Sequence, residues 1–341
     1  MKAAPLSPSP APLWRTFGAL GLGGLLLFFG NALCGSEWLG PAEFWRALWL
    51  GPEHPDTAAF IVWHIRLPRA ITAVLVGAAL PIGGLLLQAL FRNPVAGPDA
   101  LGISSGAGLG VALALFGQGW LPTVAFSGPW GLALAGGLGS FLATLPMLAL
   151  AKSVRDPATL LIVGLLWGAV AGALTMLLQI AGTRDALQRY ANWGYGGLGG
   201  LVWEDLWAMA LMVLPALLAG FILSKPLDAL LAGSDYARSV GLPQGWIQLA
   251  VAGVTALLTG SATAFCGPIA FVGIVVPHLA RWTLRTGSHR ALMVGTLLWG
   301  IGLLLAVDAL SHLPGSTLSL PLNALTALVG VPITAWVLLR R

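Results

Sequence analysis

Charge is what this sequence has least of. Only 9% of its 341 residues are Asp, Glu, Lys or Arg, where a soluble domain carries about a quarter. With 57% hydrophobic residues and a mean hydropathy of +0.87, there is too little polar surface for an ordinary soluble enzyme. A disordered chain and a nucleic-acid binder are excluded on the same ground. Cysteine is scarce too: Cys34 and Cys266 stand alone, without metal-ligand spacing. The only lysines are Lys2, Lys152 and Lys225, and none closes a Gly-x4-Gly-Lys-Ser/Thr phosphate loop. The chain is therefore not expected to hydrolyse nucleotide itself. His-Glu-x-x-His, Cys-x-x-Cys and close carboxylate pairs within an apolar run are all missing. The histidines His54, His64, His278, His289 and His312 are scattered, and His278 after Pro277 suits a helix C-terminus better than a metal. Asp308 is the clearest ionisable residue inside an apolar run, and it is expected as a helix-end or packing residue. An ion-coupled carrier ordinarily needs more polar groups at membrane depth. Energy for active transport would then come from a partner. A passive channel or an ion-coupled carrier is the competing class.

The apolar residues come in long blocks without alternation, which points to an all-α polytopic membrane protein and away from a β-barrel. A helix needs about 20 apolar residues to cross a bilayer core. Ten segments qualify: 16–34, 69–90, 101–117, 129–151, 158–181, 203–224, 246–265, 269–284, 291–311 and 321–339. The third and eighth are short, and Cys266-Gly267-Pro268 between the seventh and eighth predicts a broken or re-entrant element. The first run is preceded by Lys2 and Arg15 like a signal peptide, but no small-residue cleavage site follows; it is taken as a membrane helix. With the N-terminus inside, the outer segments hold only Arg46, Arg66, Arg69, Arg184 and Arg189, and every other basic residue faces inward. That bias puts both termini in the cytoplasm. It also explains the pI of about 9.8 without an anionic partner. No soluble domain is appended: 1–341 reads as one transmembrane domain with a cytoplasmic tail over 1–15. The outer stretch 35–68, with Trp38, Phe44 and Trp45, suits a short interfacial helix.

Gly102, Gly106 and Gly110 lie four apart, as do Gly164, Gly168 and Gly172. Such stripes let another backbone approach closely. In the inner segment 225–245, Leu227, Leu230 and Leu231 have helical spacing and Gly233 interrupts it. Ser234 can cap a second short helix that Gly241 and Pro243 end. Two short helices lying across the inner face make a docking surface; a plain connecting loop is the other reading.

Several blocks carry a resemblance. They are Ile65-Arg66-Leu67-Pro68-Arg69, Gln88-Ala89-Leu90-Phe91-Arg92-Asn93-Pro94-Val95-Ala96, Leu101-Gly102-Ile103-Ser104-Ser105-Gly106, Gly241-Leu242-Pro243, Gly267-Pro268-Ile269-Ala270-Phe271-Val272-Gly273 and Val275-Val276-Pro277-His278-Leu279-Ala280-Arg281. Leu320-Pro321 and Val329-Gly330-Val331-Pro332 close the series. Together they resemble the FecCD-type permease family of binding-protein-dependent ABC importers for iron-siderophores, haem and cobalamin. Within it, Phe60-Ile61-Val62-Trp63-His64, Gly117-Gln118-Gly119-Trp120 and Gly196-Gly197-Leu198-Gly199-Gly200 are most similar to the cobalamin carriers.

The resemblance implies a type II importer permease of about ten helices in the bacterial inner membrane, and no catalytic residue or metal of its own. It implies a second copy of the chain, two ATP-binding cassette subunits holding ATP and Mg, and a periplasmic binding protein. Cobalamin or a related chelate is the implied cargo, with haem or a ferric siderophore as alternatives. Arg66 and Arg69 match two rim arginines that meet carboxylates of the binding protein, and His312 stands where the family has a third. Ser319 and Asn323 also depart from the family pattern. The contact with the ATPases would map onto Leu231, Gly233, Ser234, Ala237, Arg238 and Gly241. The cytoplasmic gate would be Asn93, Pro94 and Val95 with Pro157, Ala158 and Thr159. The fifth helix would line the path through Gly168, Gly172, Met176 and Gln179.

Overall fold

Long apolar runs have no water to satisfy their backbone, so they close their hydrogen bonds internally as helices. The computed structural model describes residues 12–33, 35, 39–117, 128–151, 157–232, 237, 239, 241–312 and 320–339. In order, the elements are α1 (Leu13–Leu33), α2 (Pro41–Leu50), α3 (Thr57–Ile61), a π-helical turn (Val62–Arg66), α4 (Leu67–Leu90), α5 (Ile103–Phe116), α6 (Gly128–Ala151) and α7 (Pro157–Ile180). They continue with α8 (Arg184–Gly194), α9 (Trp203–Ile222), α10 (Ser224–Ala232), α11 (Gln244–Cys266), α12 (Val272–Leu284), α13 (His289–Ser311) and α14 (Leu322–Leu339).

Each of the ten expected segments is occupied by a helix. Among the described residues, seven stretches are long and apolar enough to cross a membrane. The third and eighth segments are the short ones: α5 has 14 residues and α12 has 13, each about 20 Å long. The break before α12 is real. Gly267 takes φ +73 after α11, and Phe271 takes a left-handed φ of +66 before α12. The interfacial helix expected between the first two spans is α2, started by Pro41 and burying Phe44 and Ala47.

α4 is the axis of the bundle. Every residue over 75–89 is buried, and α4 packs on α9, α11, α12 and α13. Glycine makes these contacts possible. A methyl group on Gly77 would meet the Gly300 carbonyl of α13, and one on Gly84 would overlap the Gly273 carbonyl of α12. Away from the axis, Gly106 faces Gly139 where α5 crosses α6, and Gly136 faces Gly260 where α6 crosses α11. Both glycine stripes read from the sequence are used for packing, since Gly102 and Gly164 approach backbone to backbone. Gly172 departs from the pattern, with nothing within 4 Å of an added methyl.

The periphery is apolar. Only Asn31 and Ala32 of α1 are buried, and α7 exposes Ile162, Leu165, Leu166, Val170, Leu174 and Leu177. Those faces suit lipid or another apolar surface.

Replacing Gly84 by Ala must push α4 away from α12. We expect a loss of about 1–3 kcal/mol, read as a lower Tm of the purified chain in detergent. Gly21→Ala, on α1 with open space around it, should leave Tm unchanged or slightly raised.

Candidate functional site

Polar side chains gather at the two ends of the bundle. At the end where α4 begins, they converge on Asp308, which is 1% exposed. Arg69 Nε lies 2.8 Å from Asp308 Oδ2, and Arg69 Nη2 donates to the Asp308 carbonyl at 3.0 Å. Asn31 Nδ2 donates to Asp308 Oδ2 at 2.8 Å and to Leu305 O at 3.1 Å. One carboxylate thereby ties α1, α4 and α13 together. This is the packing role expected of Asp308, with two partners that lie far from it in sequence.

The three rim candidates are placed differently from one another. Arg66 is only 7% exposed. Its guanidinium turns inward and donates to the carbonyls of Ala32 (3.0 Å) and Leu33 (2.6 Å). Those carbonyls end α1, where a cation also suits the helix dipole. On sequence Arg66 is offered to a partner protein; here its donors are turned onto α1. The π turn over Val62–Arg66 carries the side chain back onto α1. Arg69 is largely enclosed, and His312 completes its shell: Arg69 Nη2 lies 2.5 Å from His312 Nδ1. An arginine has no acceptor, so His312 Nδ1 accepts and the ring's proton sits on Nε2. Burial first, and the Arg69 cation second, lower the His312 pKa below the ordinary 6.5, against an opposing pull from Asp308. The imidazole is therefore neutral at pH 7.

His312, Asp308 and Ser311 line a cavity of ≈ 260 Å³ with the glycine-rich turn 196–199 and residues 320–322. Asn192 of α8 opens it toward a second hollow, lined by Asp185, Gln188 and Arg189. Thr183 caps α8, its hydroxyl accepting from Ala186 N.

At the opposite end, the loop 91–102 holds Asn93, Pro94 and Val95. The Asn93 side chain accepts from Val95 N at 3.1 Å, forming a tight turn. His278 Nε2 of α12 donates to Pro94 O at 2.8 Å. Arg281 of α12 donates to Gln88 Oε1 at 2.6 Å, and Gln88 in turn donates to Ile274 O at 3.2 Å. Farther along, Asp99 Oδ2 accepts from Phe271 N at 3.3 Å, so this loop reaches the break before α12. Pro157, Ala158 and Thr159 form the start of α7. Ala100 and Leu101 of the same loop pack on Gly164 farther along that helix.

Of the segment expected to meet the ATPases, Leu231 is exposed on α10, while Leu227 and Leu230 before it are buried. Ala237 is helical and buried, and Leu242 N donates to Ala237 O at 2.9 Å across Gly241, whose φ is +79. That is the glycine-closed helix end expected there. Gly233, Ser234 and Arg238 lie outside the described residues. On α7, Gly168 packs against Ser105, Gly172 and Met176 are open, and Gln179 is half-buried. Asn31, Gln88, Arg92 and Asp99 escaped the sequence reading. Nothing local marks them, because their partners come from distant helices.

A bundle whose helices are apolar enough to cross a membrane, with polar clusters at both ends, suits a transport protein. The chain belongs to the FecCD transport family, whose model matches residues 23–340. It is 36% identical over 318 residues to the vitamin B12 import system permease protein BtuC of Escherichia coli O157:H7 (strain EC4115 / EHEC), covering 93% of this chain and 92% of that one. The protein of the same name from Shigella flexneri matches at the same identity and coverage. A solved structure described as an inward-facing conformation of a transporter assigned to the metal-chelate ABC type superposes with a TM-score of 0.80. It has 25% identity and covers 96% of this chain and 99% of that one.

Two outcomes follow for the Arg69 cluster. Asp308→Ala leaves a buried guanidinium without its counter-charge and should cost about 3–5 kcal/mol, measured as a fall in Tm. The double change Asp308→Leu with Arg69→Met should recover most of it. The second outcome concerns pH. The folded chain binds the His312 proton more weakly than the unfolded chain does, so the unfolded state takes up more protons as pH falls. The stability linked to His312 is complete above pH 6.5 and is lost as pH falls from there toward the lowered pKa. Melting curves at pH 7.5 and 5.5 should show a larger drop for the native chain than for His312→Asn.

Proposed function

We propose that this chain is the transmembrane subunit of an importer that carries cobalamin, or a closely related metal chelate, inward across a bacterial inner membrane. It works as a pair of identical chains. Two ATPase subunits bind ATP and Mg and grip the inner face. A periplasmic binding protein delivers cargo to the end that carries Arg69. Both termini lie in the cytoplasm, as the basic residues favour. The observation that carries this reading is 36% identity along 93% of the chain to the vitamin B12 permeases, joined to two polar ends that divide the labour.

At the outer end, Arg69 and His312 form the rim beside the 260 Å³ cavity, and Arg66 holds the end of α1 in place behind them. Arg69 carries the one arginine charge left at this rim for a carboxylate on the binding protein, and Asp308 and His312 already hold its Nε and Nη2. His312, neutral at pH 7, supplies shape and a donor Nε2–H but no charge. Electrostatic attraction at this rim is correspondingly weaker than with three free arginines.

At the inner end, Asn93, Pro94 and Val95, with Pro157, Ala158 and Thr159, close the path. Proline stiffens each turn so that it moves as a unit. The exposed Leu231 and the segment through Ala237 and Gly241 meet the ATPases, with Gly233, Ser234 and Arg238 in the same contact. Gly172, Met176 and Gln179 on α7 offer the passing cargo small and weakly polar surface, which a bulky chelate can leave again. Gly168 supports this helix from behind.

The test is cargo-dependent ATP hydrolysis. The complete complex in lipid nanodiscs would be mixed with its binding protein loaded with cyanocobalamin, haem or a ferric siderophore. The strongest stimulation is expected from cyanocobalamin. Stimulation by the siderophore alone would move the cargo assignment and keep the machine. Arg69→Glu should weaken docking of the binding protein at least tenfold, more at low salt than at high.

A further inference from the structure

We propose that Arg92 is the strut that makes the gate loop follow α10. This inference rests on the preceding reading of 93–95 as gate and of α10 and the segment after it as ATPase contact. It adds the link between them.

Four observations converge on this residue. Arg92 Nη2 donates to Leu230 O at 2.6 Å, joining positions 138 apart in sequence. Leu230 lies in the last turn of α10, whose carbonyls have no partner within the helix. A cation there also meets the negative end of the helix dipole. Arg92 is the residue immediately before Asn93, so whatever displaces its guanidinium displaces the gate turn. Its backbone is held in the left-handed region, at φ +47, which disfavours a side chain such as arginine.

The surrounding ties define what can move. Among the described residues, α10 has a second long-range polar anchor: Asp228 Oδ1 accepts from His289 N (3.1 Å) and from His289 Nδ1 (2.6 Å) at the start of α13. The gate turn has a second anchor on its far side, from His278 Nε2 to Pro94 O. The turn is thus held between α12, through His278, and α10, through Arg92. When α10 shifts relative to α12, the turn cannot keep both bonds unchanged. A side chain with a planar, multidentate donor can slide along the carbonyls at the end of α10 without letting go. Arg92 is a positioning residue in this scheme and touches no cargo.

The choice of variants follows from the backbone. Asn accepts a left-handed φ readily but is too short to reach Leu230. Arg92→Asn therefore removes the strut and relieves the turn. Arg92→Lys keeps a cationic donor one bond shorter than Nη2. The readout is independent of cargo. Val95→Cys, in a Cys34→Ser and Cys266→Ala background, would carry a nitroxide in each copy of the chain. Pulsed electron paramagnetic resonance would then measure the Val95-to-Val95 distance in the assembled complex, without nucleotide and with ATP and vanadate. With Arg92 present, nucleotide should shift the distance distribution. Arg92→Asn should abolish the shift while trapping as much nucleotide in the ATPases, and Arg92→Lys should restore at least half of it. A full shift in Arg92→Asn would overturn the strut and leave the gate reading standing. No shift even with Arg92 present would overturn the gate assignment, and the strut with it.

Discussion

Backbone that leaves a helix inside a bilayer must find its hydrogen bonds within the protein. Everything distinctive about this bundle follows from meeting that requirement twice. The loop 91–102 and the break at 267–271 both interrupt helices that would otherwise cross, and the shortened helices α5 and α12 are the result. The two irregular stretches satisfy each other: Asp99 accepts from Phe271 N, and Pro98 packs on Gly273. They are roofed by α4, whose glycines let the neighbouring backbones close over them. The loop 91–102 is therefore part of the buried frame over 96–98 and 101–102, while Arg92 near its start is exposed. The start of the loop can shift only as far as the His278–Pro94 and Arg92–Leu230 bonds allow.

Arginine serves the same end in two places. Arg66 closes the C-terminus of α1 and Arg92 closes the C-terminus of α10, at opposite ends of the molecule. Each uses a multidentate donor to satisfy carbonyls that a helix end leaves free. Arg69 differs, because its counter-charge is a buried carboxylate and its second neighbour a neutral histidine. The ends of the bundle are thus built from charge that is already occupied.

The ten membrane segments, the break after Cys266 and the end of the short helix at Gly241 are legible in the sequence. Each rests on local chemistry: apolar length, a Gly-Pro pair, a glycine with positive φ. The family blocks are legible for the same reason. The side-chain geometry is not. A period of 3.6 residues gives no warning of the π turn that sends Arg66 inward. Arg69 meets Asp308 across 239 positions of sequence, and nothing near either residue announces the other. Asp99 was hidden because it sits in a polar-looking loop that folds back into the protein. The spacing of Leu227, Leu230 and Leu231 reads as helical, and α10 buries the first two and exposes the third; the use of the Leu230 carbonyl by Arg92 needs the third dimension.

On the proposed reading this chain supplies a path and no engine. Reconstituted alone in liposomes, with a proton or sodium gradient imposed, it should take up no labelled cobalamin. Adding the ATPase subunits, the binding protein and ATP on the ATPase side should start uptake, and vanadate should stop it. Uptake by the chain alone, driven by either gradient or by cobalamin's own concentration difference, would contradict the account.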